Sequence, residues 1–197
     1  MTALDQQFQL AAARKAKPIA TQFETARLRI RASRLDDLDA TLIVAEASAT
    51  SLRNWMPWAY PAPHRESMLR YYASVEEKWA SREMLDFHWV DKVSGAVIGK
   101  GGFHHIDWAI PKFEIGYWLG SAYMGKGYCT EAVIGLVDFA KTVLGARRIE
   151  IRSQPANIAS RAVAERAGFT LEGIHRHAIV GVDGSLKDAC IYAFIVE

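Results

Sequence analysis

The stretch GSAYMGKGYCTEA, Gly120–Ala132, follows an alternating run, KFEIGYWL (Lys112–Leu119), and leads into a helix-forming one. It nearly spells a Walker A loop, with Gly120, four residues, then Gly125 and Lys126. That loop next needs a Ser or Thr hydroxyl to hold Mg²⁺, and the residue there is Gly127. A dinucleotide fingerprint fails as well, because Thr130 stands where its third glycine belongs. What is left is strand, glycine turn and helix. Glycines at 125 and 127 let successive N–H groups point into one concavity. The following helix adds free amides and the positive end of its dipole, a setting that favours an anion. Each such interaction contributes only about 0.3–1 kcal/mol when exposed, so several must converge.

Lys126 adds a point charge at the rim of this loop. Thr130 can cap the helix or bond an oxygen of the anion. A plain glycine turn ahead of a helix is the competing reading. The chemistry suits a pyrophosphate bound without metal, which points to a phosphate-bearing carrier such as coenzyme A rather than a phosphoryl donor.

Outward from the loop, 197 residues suit one domain with one substantial core. Half the residues are hydrophobic and 23% are charged, a globular rather than a disordered composition. A net charge of +2 gives no ground for a nucleic-acid or membrane surface. Cys129 and Cys190 lie far apart with no metal-ligand spacing, so no metal site and no disulfide framework is expected. The first residues, MTALDQQFQLAAARKAK, lack the continuous apolar core of a signal peptide. No run reaches the length needed to cross a bilayer, and a cytoplasmic protein is the expectation.

Residues 1–22 read as an extension, helical from Leu4 to Lys17 or frayed, ahead of a single domain over 23–197. The spacing predicts strands at 25–31, 85–93, 96–105, 112–119 and 147–154, and a closing hairpin over 169–196. Helices are expected from a Ser33 cap to about Ala49, over 65–82, over 131–144 and over 157–167. The apolar spacing of Met68, Leu69, Tyr72, Val75 and Trp79 gives the second of these one buried face. The segment RNWMPWAYPAPH (Arg53–His64) is ordered but irregular. Strands in a run, then strand–helix–strand–helix–hairpin, make an α+β (mixed α/β) fold and exclude a doubly wound one.

EIGYWLGSAYMGKGYCTEA resembles the central motif of the GCN5-related N-acetyltransferases, the GNAT superfamily, whose loop pattern is Gln/Arg-x-x-Gly-x-Gly/Ala. That pattern maps onto Met124, Gly125, Lys126, Gly127, Tyr128 and Cys129. NIASRAVAERAGFTLEG supplies the second half, through Asn157, Ser160 and Ala167-Gly168-Phe169. With NWMPW early and a late DG…D, the similarity is to the RimJ/RimL branch, which acetylates protein N-termini. It runs from about Phe23 to the end of the chain. The resemblance implies a GNAT fold, with a strongly twisted mixed sheet flanked by helices. It implies acetyl-CoA as cosubstrate without a metal, and a primary amine acceptor, foremost a protein or peptide N-terminal α-amine. It also implies a homodimer. A small-molecule amine, or a non-catalytic acetyl-CoA-binding module, are the alternatives. Met124 departs from the usual Gln or Arg, Cys129 from Gly or Ala, and Ala164 stands where many members of the superfamily carry a tyrosine acid.

The resemblance also distributes roles. Backbone groups of Trp118 and Leu119 are expected to bind the pantetheine arm. Alternation puts Glu114, Gly116 and Trp118 on one face of their strand and Phe113, Ile115, Tyr117 and Leu119 on the other. Glu114 is the candidate base, with an arginine-paired carboxylate as the structural alternative. Ser160 is the candidate acid or sulfur partner, on the same helix face as Asn157, and Asn157 doubles as a helix cap. Trp55, Trp58 and Tyr60 are expected to shape the acceptor groove, or to pack their loop on the core. His104 and His105 are neighbours on a strand, so they are expected to face opposite sides and not to act together. His175 and His177 are expected to share a face of the penultimate strand, bordering the acceptor site or simply exposed at the edge.

Overall fold

A computed structural model describes residues 2–197. Eight strands form one sheet, β1 (Gln22–Glu24), β2 (Leu28–Ala32), β3 (Leu85–Asp91), β4 (Val97–Asp107), β5 (Lys112–Leu119), β6 (Arg148–Ser153), β7 (Thr170–Val180) and β8 (Leu186–Ile195). Their order is β1-β2-β3-β4-β5-β6-β8-β7. Only β5 and β6 run parallel, so the sheet is mixed, as the α+β reading requires. The helices are α1 (Ala3–Ala16), α2 (Leu38–Ala47), α3 (Ala49–Leu52), α4 (Arg65–Ala80), α5 (Tyr128–Phe139) and α6 (Ile158–Arg166).

Alternation along β3 sorts the two faces of the sheet. Phe87 points to α5, where it meets Phe139 edge-on at 5.4 Å between ring centroids. Phe23 stacks on the same Phe139 at 4.7 Å, and Phe103 and Phe113 continue the cluster toward β5. Burying an aromatic ring of this kind contributes about 2–3 kcal/mol. On the opposite face, His88 meets Thr41 of α2 and Tyr72 of α4. α4 buries Met68, Tyr72 and Val75, one stripe at helical spacing, while Leu69 is exposed.

The sheet opens at its parallel pair. β5 and β6 pair only through Lys112↔Arg148, Phe113↔Ile149 and Glu114↔Glu150. Beyond Glu114 the strands part, because β6 turns to follow β8 while β5 stays paired with β4 as far as Leu119. The backbone edge of Ile115–Leu119 therefore faces a cleft instead of a strand.

Several local expectations change. Ser33 does not cap α2; a 3₁₀ turn at Leu35–Asp37 intervenes, and Asp37 Oδ2 accepts from Arg34 N–H. α5 starts at Tyr128, three residues before the expected Glu131, and a π turn over Ala140–Leu144 ends it at Gly145. The extension is a helix from Ala3, with Thr2 and Asp5 in a reciprocal capping box. Arg14 on its last turn donates to the Trp108 and Ala109 carbonyls.

Candidate active site

Gly125 and Gly127 sit at φ +72° and +80°, a left-handed conformation that L side chains rarely adopt. Their positions turn the chain so that Gly127 becomes the N-cap of α5. Among the described residues, no backbone carbonyl accepts from the amides of Gly125 to Thr130; the first amide satisfied is that of Glu131, by Gly127. A run of free N–H groups at a helix start is an anion cradle.

The cradle is braced from behind by residues that the sequence reading passed over. Arg27 donates to Glu131 Oε2 at 2.6 Å and to the Lys126 carbonyl at 2.9 Å, and its guanidinium covers the Tyr128 ring at 4.1 Å. Tyr128 in turn donates to Asp91 Oδ2. Glu131 also accepts from Thr25 Oγ1 and the Arg27 amide. Burial alone would raise the Glu131 carboxyl, but these hydrogen bonds and the Arg27 charge hold it below the ordinary range. No local motif announces Arg27, because its partners lie about a hundred positions away.

A cavity of about 620 Å³ runs from this cradle along the open edge of β5. Every residue expected to bind the carrier lines it except Lys126: Trp118, Leu119, Met124, Gly125, Gly127, Tyr128, Cys129, Thr130, Asn157 and Ser160. Lys126 turns its ammonium to the Ala122 carbonyl at 2.9 Å. Thr130 caps nothing; it lies in the first turn of α5 and accepts from Arg166 Nε at 3.2 Å. Arg166, not anticipated from sequence, thus puts a cation on the cavity wall where Lys126 does not. Burial pushes the Cys129 thiol up to about 12, which leaves it protonated at neutral pH.

A second cavity, about 580 Å³, lies under α2 and α4. The two share Trp55, Met56, Tyr117, Trp118, Asn157 and Ser160, so they meet at the cleft where β5 leaves β6. At the meeting point the Tyr117 hydroxyl lies 3.0 Å from Ser160 Oγ. Burial raises the Tyr117 phenol well above its ordinary value. Asn157 caps α6 by accepting from the Ser160 amide at 3.1 Å. Capping and a place on the cavity wall coincide.

The second cavity contains Trp55 and Trp58, and Trp58 leans on Trp118 at 5.6 Å. Tyr60 lines neither cavity, nor do His175 and His177. The floor is the polar face of the sheet. There Lys100 Nζ pairs with Asp86 Oδ2 at 2.6 Å, both buried, and lies over the Tyr71 and Tyr72 rings. Behind them, burial pushes His88 down to about 4, which leaves it neutral between Thr41 and Tyr72.

Glu114 is buried, and both of its oxygens are taken. Oε1 is 3.1 Å from His104 Nε2; Oε2 is 3.0 Å from His105 Nδ1 and 3.0 Å from Arg152 Nε. Burial would raise this carboxyl, yet the two histidines and then Arg152 hold it below the ordinary range. The expectation that His104 and His105 face opposite sides is corrected here. The β4–β5 register slips between His104 and Asp107, and His105 takes φ +47°. This bulge turns both rings to one carboxylate.

A family model described as an acetyltransferase (GNAT) domain matches residues 27–170. An uncharacterized N-acetyltransferase p20 from Bacillus licheniformis is 32% identical over 153 residues, 77% of this chain and 84% of that protein. A putative ribosomal N-acetyltransferase, YdaF from Bacillus subtilis (strain 168), is 30% identical over 141 residues, 70% of this chain and 76% of that protein. Among solved structures, RimL, a ribosomal α-N-protein acetyltransferase in complex with coenzyme A, superposes with a TM-score of 0.79. It covers 91% of this chain and 97% of that one at 22% identity, a likeness of fold.

Proposed function

The chain belongs to the GNAT acetyltransferase family, and from that premise we propose that its acceptor is the N-terminal α-amine of a protein or peptide. It is an acetyl-CoA-dependent N-acetyltransferase, and the acceptor is the step beyond. One observation carries it: the acceptor cavity has no unpaired carboxylate. Only Asp86 and Glu114 among its lining residues are acidic. Asp86 is bound to Lys100, and Glu114 to two histidines and Arg152. A polyamine or aminoglycoside carries several positive charges and needs free acidic groups to meet them. This wall, with Trp55, Met56, Trp58, Met68 and Tyr71, offers aromatic and apolar surface instead, which suits the first residues of an extended chain.

The protonation cost favours the same acceptor. An α-amine with a pKa near 8 costs about 1.4 kcal/mol to deprotonate at pH 7, and a lysine about 4.6. The acetyl thioester is supplied by the cosubstrate. The chain contributes the free amides at Gly125–Thr130 for the pyrophosphate and the open edge of β5 for the pantetheine arm. The Ser160–Tyr117 hydroxyl pair stands where the two cavities meet. Ser160 Oγ is our candidate to hydrogen-bond the departing sulfur, with Tyr117 orienting it.

A panel of peptides with free or blocked N-termini, polyamines and aminoglycosides tests this, read by CoA thiol release and product mass. Acetylation at free α-amines alone is expected. Product only on polyamines, aminoglycosides or lysine side chains overturns the reading.

A further inference from the structure

Glu114, buried and fully bonded, is badly placed to take a proton, yet the site spends considerable structure on it. The bulge in β4, the positive φ of His105 and the reach of Arg152 all converge on this carboxylate. The question is what the carboxylate holds.

A carboxylate only accepts hydrogen bonds, so the His104 nitrogen facing it, Nε2, carries the proton. That leaves Nδ1 with its lone pair free, and among the described residues nothing bonds to it. The position of the ring is set by Gly116, the next residue along the same face of β5. A Cβ there would lie 2.6 Å from His104 Cε1 and 3.2 Å from Nδ1. Glycine at 116 therefore leaves room for the imidazole to lie over β5, with its Cε1 edge against that residue. The adjoining residues, Tyr117 and Trp118, belong to the seam between the two cavities. His104 lines the acceptor cavity and not the carrier cavity, and its side chain is about one-third exposed. His105 also touches Glu114, through Nδ1, and lines the same cavity, but it is two-thirds exposed.

We propose that His104 is the catalytic base that takes the acceptor amine's proton on Nδ1, and that Glu114 is the residue positioning it. This rests on the chain acting on an amine held in the acceptor cavity. The acceptor ammonium gives one proton to His104 Nδ1, directly or through water, and His104 returns it to solvent. The freed nitrogen lone pair forms the C–N bond to the acetyl carbon as the C–S bond breaks. The second proton shed by that nitrogen ends on the CoA sulfur, so the products are the amide, CoA thiol and one released proton. The charged groups around the ring are Glu114 from β5, Arg152 from β6 on the same carboxylate, and the neighbouring His105, 4.8 Å away between centroids. Asp86 and Lys100 lie further along the floor and neutralise each other.

The test measures kcat/KM against pH with whichever amine of the panel the wild type acetylates, beside acetyl-CoA affinity and thermal melting. His104→Ala is expected to lower kcat/KM by about a hundred-fold, the lower part of the range for a lost general base. Acetyl-CoA affinity stays within about two-fold, as His104 is outside the carrier cavity. The limb by which wild-type activity falls in acid disappears, and added imidazole restores activity where other buffers at equal ionic strength do not. His104→Gln, which keeps a side chain of similar reach, separates loss of the base from loss of packing; it stays folded and shows the same missing limb. Glu114→Gln removes the carboxylate that fixes the His104 tautomer, so kcat/KM is expected to fall while acetyl-CoA affinity is unchanged. Either His104 variant retaining the wild-type acid limb, or gaining nothing from imidazole in the His104→Ala case, overturns the proposal. A wild type that acetylates small amines but no peptide overturns the acceptor reading while still testing His104. One that binds acetyl-CoA and acetylates nothing overturns both.

Discussion

The cavity behind the glycine loop presents a row of backbone amides, whereas the cavity under α2 and α4 presents its polar groups on side chains. In the first, left-handed glycines and the start of α5 leave a row of amides free. In the second, the charged groups of the floor are tied to partners from other strands, as in Lys100–Asp86 and Glu114–Arg152. A backbone cavity tolerates changes of side chain so long as its dihedrals survive. A side-chain cavity fails when one ring moves by an ångström. If the proposed assignment holds, the two halves of the reaction are held by structures with different weaknesses.

The sharpest test of that contrast is Gly116→Ala. The added methyl would overlap His104 Cε1 at 2.6 Å and push the ring off β5. A fall in kcat of about a hundred-fold is expected, comparable to removing the base outright, with acetyl-CoA affinity unchanged. Equal losses in kcat and in affinity would mean that the methyl disturbs the open edge of β5 and not the histidine.

Gly125→Asp attacks the other half. Gly125 has φ +72° and nothing within 4 Å of a built Cβ, so the carboxylate enters open space beside the free amides. Gly127 is a less clean position, because its Cβ would stand 3.4 Å from Arg27, which could neutralise the new charge. The left-handed strain and the repulsion of a pyrophosphate together cost about 2 kcal/mol, or roughly a thirty-fold rise in the acetyl-CoA dissociation constant. Calorimetric titration reads it, and Gly125→Ala, with the strain and not the charge, separates the two contributions. Unchanged binding in Gly125→Asp would place the pyrophosphate elsewhere.

The same contrast explains what could be read from the sequence. The strand KFEIGYWL, the glycines at 125 and 127, and the cap at Asn157 are local devices, each written within a few residues, and they line one cavity. Alternation along β5 also shows in the core: Phe113, Ile115 and Leu119 enter the main cluster and Glu114, Gly116 and Trp118 do not, although Tyr117 lines both cavities. The brace of Arg27 on Glu131 spans 104 positions, and no periodicity announces it. The pairing of His104 with Glu114 was hidden for another reason. Strict alternation forbids adjacent strand residues from sharing a face, and only the bulge before Asp107 lifts that rule. Thr130 was misplaced because glycine caps α5 by its conformation alone, so the helix begins earlier than a side-chain cap would signal.

Where the cavities meet, the contrast should blur, and Ser160→Ala examines that seam. Ser160 Oγ is 3.0 Å from the Tyr117 hydroxyl, and both line both cavities. Losing one hydrogen bond to a developing thiolate costs about 1.5–2 kcal/mol, so kcat should fall by roughly ten-fold or somewhat more. Affinity for acetyl-CoA should change little. If affinity alone falls, Ser160 belongs to carrier binding, and the seam lies closer to the acceptor.

Lys126→Ala should have the smallest effect, and it bears most directly on the claim that backbone makes the carrier site. Lys126 is the residue that gave the loop its likeness to a Walker A motif. Its ammonium donates to the Ala122 carbonyl at 2.9 Å, on the solvent side, and it does not line the carrier cavity. A charge in that position reaches the pyrophosphate only through water and salt. Its loss should weaken acetyl-CoA by about two- to three-fold at low ionic strength, an effect that shrinks further in added salt. A ten-fold loss that persists in high salt would mean that the side chain swings in to contact the phosphates. The cradle would then depend on a lysine after all, and the free amides of Gly125–Thr130 would be only part of the grip.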